Sequence, residues 1–312
     1  MNMRTRSHLM LALSAALVTG ANAGVVVNDT WLDGTRTDPS PPPAYSEGGV
    51  DLDLDGDIES AWYQGGGGTL DPVAPGGPLA GILASTGSSS WTTYFTDEAS
   101  PVTLGQPGDN LRITWRFTPT GLGTGNTSQN LRIAVVDSPE AARLTAAGAP
   151  ASSTYSGYAL FGNMAPTLGN SNPFRLMERT DPATSSALLS ASGSWVGLAN
   201  GATTGNVGYA DGVEYTFVLS LTRGAADSMD IVMSMSGGNL NGTGLAEVVF
   251  SDVTPNGGSF TFDTFSIRPS DAATTAAQFN TSLFRVEYTP VPEPTSIGLA
   301  AGLAGLALRR RR

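Results

Sequence analysis

Leu111-Arg112-Ile113-Thr114-Trp115-Arg116-Phe117-Thr118 alternates large apolar and polar side chains without a break. A period of two places Leu111, Ile113, Trp115 and Phe117 on one face of an extended segment and their polar neighbours on the other, the signature of a strand with one buried face. The pattern returns in SFTFDTFSIRP at Phe260, Phe262 and Ile267, with an irregularity near Phe265. Further strands are expected at 25–31, 131–137, 155–161, 173–179, 213–223, 229–236, 245–251 and 283–288, separated by Gly, Asn, Asp and Pro turns. Only 139–147 (PEAARLTAA) has a helical period. So many strands over this length predict an all-β fold, a single antiparallel two-sheet sandwich of jelly-roll type. Two tandem seven-stranded sandwiches divided near 185–212 are the alternative, although no internal repeat supports them. Residues 34–49, with Pro41-Pro42-Pro43 as an extended spacer, and 64–90 read as low-complexity connections.

The chain has 312 residues, 39 of them Gly, and no Cys. All 16 basic residues are Arg, and the one histidine, His8, falls in the N-terminal leader described below. Cys/His zinc sites, haem ligation, Ser-His-Asp and Cys-His nucleophiles, Schiff-base lysines and a Walker lysine are therefore excluded. Catalysis would fall to Asp, Glu, Tyr, Arg or a hard metal ion. With both ends set aside, ten Arg face 26 acids, a net charge of −16. Such a surface repels nucleic acid and anionic lipid and attracts divalent cations.

The N-terminus has three zones: Arg4 and Arg6, the apolar run Leu9 to Val18, and Ala21-Asn22-Ala23 before Gly24. The run is too short for a permanent span, and small residues at −3 and −1 suit signal peptidase, so residues 1–23 are expected to be a signal peptide cleaved after Ala23. A buried amphipathic helix is the other reading. At the C-terminus Val291-Pro292-Glu293-Pro294 precedes the apolar segment Ile297 to Leu308, which stops at Arg309, Arg310, Arg311 and Arg312. The arginines would stay cytoplasmic and hold a short helix transiently in the inner membrane. A simple tail anchor shares the apolar segment and the arginines but has no need of Pro-Glu-Pro.

Pro-Glu-Pro, a short apolar helix and a terminal Arg cluster, in this order, resemble the PEP-CTERM sorting signal, which an exosortase recognises and cleaves. The resemblance covers residues 291–312 and implies delivery to the envelope or extracellular matrix of a bacterium, commonly one that makes exopolysaccharide. It implies no activity. The body between, 24–290, is similar in strand pattern to concanavalin/laminin-G-like sandwiches of surface proteins, which concerns fold alone.

Asp51-x-Asp53-x-Asp55-Gly56-Asp57-x-Glu59 is the sharpest internal motif. Carboxylates at alternate positions before a turn glycine supply the converging oxygens that calcium requires, making Asp51, Asp53, Asp55, Asp57 and Glu59 the candidate ligands. The run matches the first half of an EF-hand loop and departs from it at position 12, where Trp62 replaces the bidentate glutamate. An acidic, solvated strand edge with Leu52, Leu54 and Ile58 partly facing the core is the competing reading. Trp62, Tyr63 and Trp91, with Tyr94, Trp195 and Tyr209, lie in or beside polar loops, where they either stack on sugar rings or cap the core. Glu178, Glu214, Glu247 and Glu287 are isolated and read as surface or strand-edge charges, and no clustered acid motif of a jelly-roll glucanase occurs.

The function expected from these features is that of an exported, non-catalytic cell-surface or matrix protein that binds glycan with calcium support. Its partners would be the export machinery, signal peptidase, an exosortase-type enzyme and extracellular polysaccharide. The alternatives are a carboxylate-based glycoside hydrolase or polysaccharide lyase of the envelope, and a structural protein without a small ligand.

Overall fold

The stretch 111–118 becomes the centre of a 13-residue strand, and its four apolar residues are fully buried. In the computed structural model, residues 23–39, 45–97, 99–124, 126–180, 182–256 and 260–292 are described. The leader up to Asn22, the polyproline spacer, and Glu293 with the rest of the sorting tail lie outside them. The helices expected at the two ends therefore lie outside as well. Among the described residues no helix is long and apolar enough to cross a membrane.

The first strands are β1 (Gly24–Asp29), β2 (Trp62–Gly66), β3 (Thr69–Pro72), β4 (Leu79–Ile82), β5 (Ser89–Tyr94), β6 (Val102–Thr103), β7 (Asn110–Leu122) and β8 (Leu131–Asp137). They are followed by β9 (Ser156–Gly162), β10 (Phe174–Arg179), β11 (Trp195–Asn200), β12 (Tyr215–Arg223), β13 (Met229–Ser236) and β14 (Leu245–Asp252). The chain closes with β15 (Thr261–Phe262), β16 (Thr264–Pro269) and β17 (Ala276–Thr289). Two large antiparallel sheets result, and β6 pairs with β15 in a separate two-stranded one. One runs β14-β13-β12-β7-β17-β4-β3, with β1 also on β17; the other runs β11-β10-β9-β8-β16-β5-β2. Strands from both halves of the sequence interleave in each sheet, so Ala23–Pro290 is one unit and the tandem-sandwich alternative is not realised.

The inner faces interlock through aromatic rings. Trp62 and Trp91 of the seven-stranded sheet meet Phe284 and Phe279 of the eight-stranded sheet edge-on, at 5.2 and 5.5 Å between centroids. Trp115 stacks on Phe117 at 4.0 Å and donates its indole N–H to Thr281 Oγ1 at 3.0 Å, which satisfies the one polar atom it carries inward.

The two sheets differ in their outer faces. β7 and β13 alternate between buried and more exposed residues, whereas β5 is buried at all six positions. The reason is a second layer of loops on the seven-stranded sheet. Tyr45 and Leu144 cover Ala61, Tyr63 and Tyr94, while Leu188, Leu189 and Tyr155 cover Ala134, Ala159, Phe161 and Met177. A sheet buried on both faces loses the period of two.

Three expectations change here. Residues 64–90 are no connection but carry the end of β2, all of β3 and β4, and the start of β5. Their glycines serve close packing: a Cβ on Gly81 would lie 2.3 Å from the Trp91 indole, and one on Gly65 2.3 Å from the Gly148 carbonyl. Gly81→Ala is accordingly expected to destabilise the fold by about 1–3 kcal/mol through overpacking, read as a lower midpoint in urea. The helix expected at 139–147 shrinks to one 3-10 turn, Glu140–Ala142, because Arg143 is drawn into the interior by Asp263. The irregularity expected near Phe265 sits at Asp263, between β15 and β16.

Candidate metal centre

Between β1 and β2 the chain makes a long excursion that the sheet pins at both ends. Asn28 bridges Ile58, Ser46 bridges Ser60, and Arg36 donates to the Trp62 carbonyl at 2.7 Å. Within it the alternating aspartates organise their own backbone. Asp51 accepts the N–H groups of Leu54 and Gly56 at 2.7 and 3.0 Å, Asp53 that of Asp55 at 3.2 Å, and Asp55 that of Asp57 at 2.8 Å. The Asp53 and Asp55 contacts are Asx-type turns, in which one oxygen holds the loop and fixes the direction of the other, whereas Asp51 engages both of its oxygens. Leu54 and Gly56 take positive φ, 68° and 107°, so the chain coils tightly enough to bring successive carboxylates to one side. Glu47 clamps the coil from outside, accepting Leu52 N–H at 2.6 Å and Glu59 N–H at 3.0 Å.

Three overlapping carboxylate groups result, each with its oxygens within 4.8 Å of one another. They are Asp33, Asp55 and Glu59; Asp38, Asp53 and Glu59; and Glu47, Asp51 and Asp53. Glu59 belongs to two of them and is 3% exposed, yet its Oε2 receives no hydrogen bond among the described residues; Asp55 Oδ2 is buried and equally unpartnered. Burial, with Asp55, Asp33, Asp29 and Glu47 adding repulsion, pushes the Glu59 carboxyl up to about 9. Asp55 and Asp38 are raised by burial first and by neighbouring carboxylates next. Oxygens this close together, some buried without a donor, are a set that could hold a hard cation. An all-oxygen set drawn from this many protein carboxylates suits calcium, which takes six to eight ligands, better than magnesium, which keeps its waters.

Of the residues the motif nominated, Asp51, Asp53, Asp55 and Glu59 are thus brought together. Asp57 is not: its carboxylate accepts Thr30 N–H at 2.7 Å, Thr30 Oγ1 at 2.8 Å and Leu32 N–H at 3.2 Å, and anchors the excursion to the end of β1. Asp33, Asp38 and Glu47 complete the cluster from segments that carry no acidic spacing of their own. Leu52 and Leu54 point to solvent, at 65% and 83% exposure, while Ile58 is half-buried and bridges Asn28, so only the end of the acidic run has the character of a strand edge.

The aromatic candidates are displaced from any ligand role on the surface. Trp62, Tyr63 and Trp91 are at most 5% exposed, and Tyr94, Trp195 and Tyr209 are buried too. Trp62 and Trp91 belong to the inter-sheet core, and Tyr63 to the layer beneath Tyr45. Glu178 is likewise no surface charge. It is buried, accepts both the N–H and the side-chain amide of Asn256 at 2.6 and 2.8 Å, and is pushed up to about 7 by burial, with Asp252 beside it. Asp252 in turn accepts Tyr158 OH at 3.0 Å and Thr254 N–H at 3.0 Å. These two acids form an internally satisfied clasp between the sheets.

The carboxylate cluster sets a pH dependence. Glu59 holds its proton in the folded chain up to about 9 and in the unfolded chain only to its ordinary 4.5. Its contribution to stability is therefore fully present below about 4.5 and is lost as pH rises to about 9. With chelator present the melting temperature is expected to fall between pH 5 and 9. With calcium in excess the trend reverses, because the ion binds only deprotonated carboxylates. Melting curves at pH 5, 7 and 9 with calcium or EDTA check both signs.

No protein-family model matches the chain, and no curated protein matches its sequence. Among solved structures it is similar to the VIP36 exoplasmic/lumenal domain in a Ca2+/Man2-bound form, at 12% identity and TM-score 0.47, covering 80% of this chain and 90% of that one. It is also similar to the metal-free carbohydrate recognition domain of Emp46p, at 11% identity and TM-score 0.43 over 74% and 89% of the two chains. A third likeness, to lectin II from Ulex europaeus, has 10% identity and TM-score 0.38 over 72% and 92%.

Proposed function

We propose that this chain is a non-catalytic binding protein of the bacterial cell surface or extracellular matrix, built on a calcium-supported sandwich whose partner is an extracellular polysaccharide. In this reading signal peptidase removes the leader after Ala23. The tail then rests transiently in the inner membrane until an exosortase-type enzyme acts at Pro292-Glu293-Pro294. The order of motifs at the two ends supports export and sorting, and the polysaccharide partner follows from the setting that the sorting tail implies. The observation that carries the calcium reading is the unpartnered Glu59 Oε2, held in the interior where two carboxylate groups overlap.

The test is retention of the purified protein on a panel of immobilised bacterial exopolysaccharides. Retention with calcium that is lost in EDTA and in Glu59→Gln supports the reading. Retention indifferent to both would separate the cation from the binding, and absence of retention across the panel would leave a structural surface protein. In cells, replacing Pro292 and Pro294 is expected to trap the protein in the inner membrane, followed by fractionation.

A further inference from the structure

A cavity of about 260 Å³ lies on the outer face of the seven-stranded sheet. Its lining includes Ser88, Ser90 and Ser266 from the sheet side, Pro150 and Ser190 from the two covering loops, and Arg268. Arg268 of β16 stands in register directly opposite Arg132 of β8. Like charges at a cross-strand pair repel, and a neighbouring acid normally relieves them. Here none does: the described ion pairs engage Arg36, Arg116, Arg143, Arg223 and Arg285, and neither Arg132 nor Arg268 has a carboxylate partner among the described residues.

Both guanidiniums are held in place by neutral acceptors. Arg132 Nη1 donates to the carbonyls of Leu189 and Ser190 at 2.5 and 3.3 Å, its plane lies over the Phe161 ring at 4.4 Å, and its Nε is buried without an acceptor. Arg268 Nη2 donates to Ser88 Oγ at 2.6 Å, while its Nε and Nη1 make no hydrogen bond among the described residues. Burial first, and then Arg268, lowers Arg132 to about 10; burial lowers Arg268. The hydroxyls of Ser90 and Ser190 are also without hydrogen-bond partners among the described residues.

We infer that this cavity is a binding subsite for the carboxylate of an acidic saccharide, with Arg268 as the planar fork and the serine hydroxyls meeting the ring hydroxyls. Arginine's parallel N–H groups match a carboxylate in two-point geometry, and its desolvated setting strengthens the bond. The cavity is slightly smaller than the roughly 300 Å³ at which drug-sized pockets begin, which suits one sugar ring. Pro150 and Leu189 give the ring an apolar wall for its C–H face. The choice of a sugar over another carboxylate rests on the polysaccharide reading above, and the cavity shares no residue with the carboxylate cluster.

Calorimetric titration of the full protein with digalacturonic acid, its methyl ester and sodium sulfate tests the assignment. The acid is expected to bind saturably, and the ester about 10- to 100-fold more weakly, the worth of a charge-assisted hydrogen bond. Arg268→Ala is expected to cost the acid the same factor. Ser190→Tyr fills the cavity from an exposed loop position and is expected to abolish binding with the melting temperature unchanged, which covers the case that Arg268→Ala fails to fold. Equal binding of acid and ester, indifference to both substitutions, or no saturable binding overturns the proposal. Sulfate binding as tight as the acid overturns the saccharide assignment. Retention on neutral exopolysaccharide that survives both substitutions would refute this cavity while the surface-binding reading stands; galacturonate binding that needs Arg268, without retention on any polymer, would do the reverse.

Discussion

Asp263→Ala is expected to lower the melting temperature by about 10 °C, the loss following from an uncompensated buried charge. The Asp263 and Arg143 side chains are 1% and 2% exposed and meet at 2.8 Å. Asp263 also accepts Ser138 N–H and Ser138 Oγ, each at 2.9 Å, and Thr264 Oγ1 at 2.5 Å. Arg143 donates to the Thr96 carbonyl at 2.6 Å and lies over the rings of Tyr45 and Tyr94 at 5.1 and 4.8 Å. Burial raises the Asp263 carboxyl more than Arg143 and the hydrogen bonds lower it, so desolvation is the larger force at this pair. Removing one partner of such a pair costs about 3–5 kcal/mol, and each kcal/mol is worth about 2–4 °C in a domain near this size. Replacing both, as Arg143→Met with Asp263→Leu, is expected to recover most of the loss, because no charge is then left in the interior. Scanning calorimetry on the three variants decides it; a drop below about 2 °C for Asp263→Ala would mean that water reaches the pair.

Calcium at one-hundredfold excess over its dissociation constant is expected to raise the melting temperature by about 5–10 °C, since linkage at that ratio contributes about 2.7 kcal/mol. Glu59→Gln abolishes the rise. In EDTA the same variant melts no lower than the parent, because without an ion Glu59 already keeps its proton at neutral pH and the amide reproduces that state. Asp57→Ala behaves in the opposite manner. It lowers the melting temperature with and without calcium by releasing Thr30 and Leu32, and it leaves the calcium-induced rise intact. A rise that survives Glu59→Gln would move the cation elsewhere.

What the sequence disclosed was apolar density as much as alternation: β8, β9 and β10, covered on both faces, were placed within a residue of their true ends by their apolar runs. β7, β12, β13 and β14 have one face toward solvent; alternation marked β12, β13 and β14 within two residues of their true ends, and β7 to four residues short of its end at Leu122. β2 and β5 escaped notice because loops cover their second face, and β3 and β4 of the other sheet because they are short and sit among close-packed Gly, which looks like linker. Trp62 and Trp91 misled for the same reason: polar neighbours suggested exposure, while the rings point inward between the sheets. At the carboxylate cluster the spacing of Asp51, Asp53 and Asp55 was legible because the backbone contacts that organise it are local. Asp33, Asp38 and Glu47 were not, since only the pinning of the excursion at Asn28 and Ser46 brings them in. Asp57 satisfied the spacing and failed the geometry: its carboxylate turns to Thr30 and Leu32, which the motif does not contain, and joins none of the three carboxylate groups.

Among the described strands the first pairs with the last alone, apart from the single bridge of Asn28 to Ile58: Gly24 pairs with Tyr288 and Asp29 with Phe284. A ribosome adding roughly 5–20 residues per second reaches Tyr288 some 13–50 s after Gly24. Until then β1 has no edge to join, and the central β7 lacks its long partner β17. Synthesis order thus works as a delay timer: the eight-stranded sheet cannot be completed until nearly all of the chain has been made.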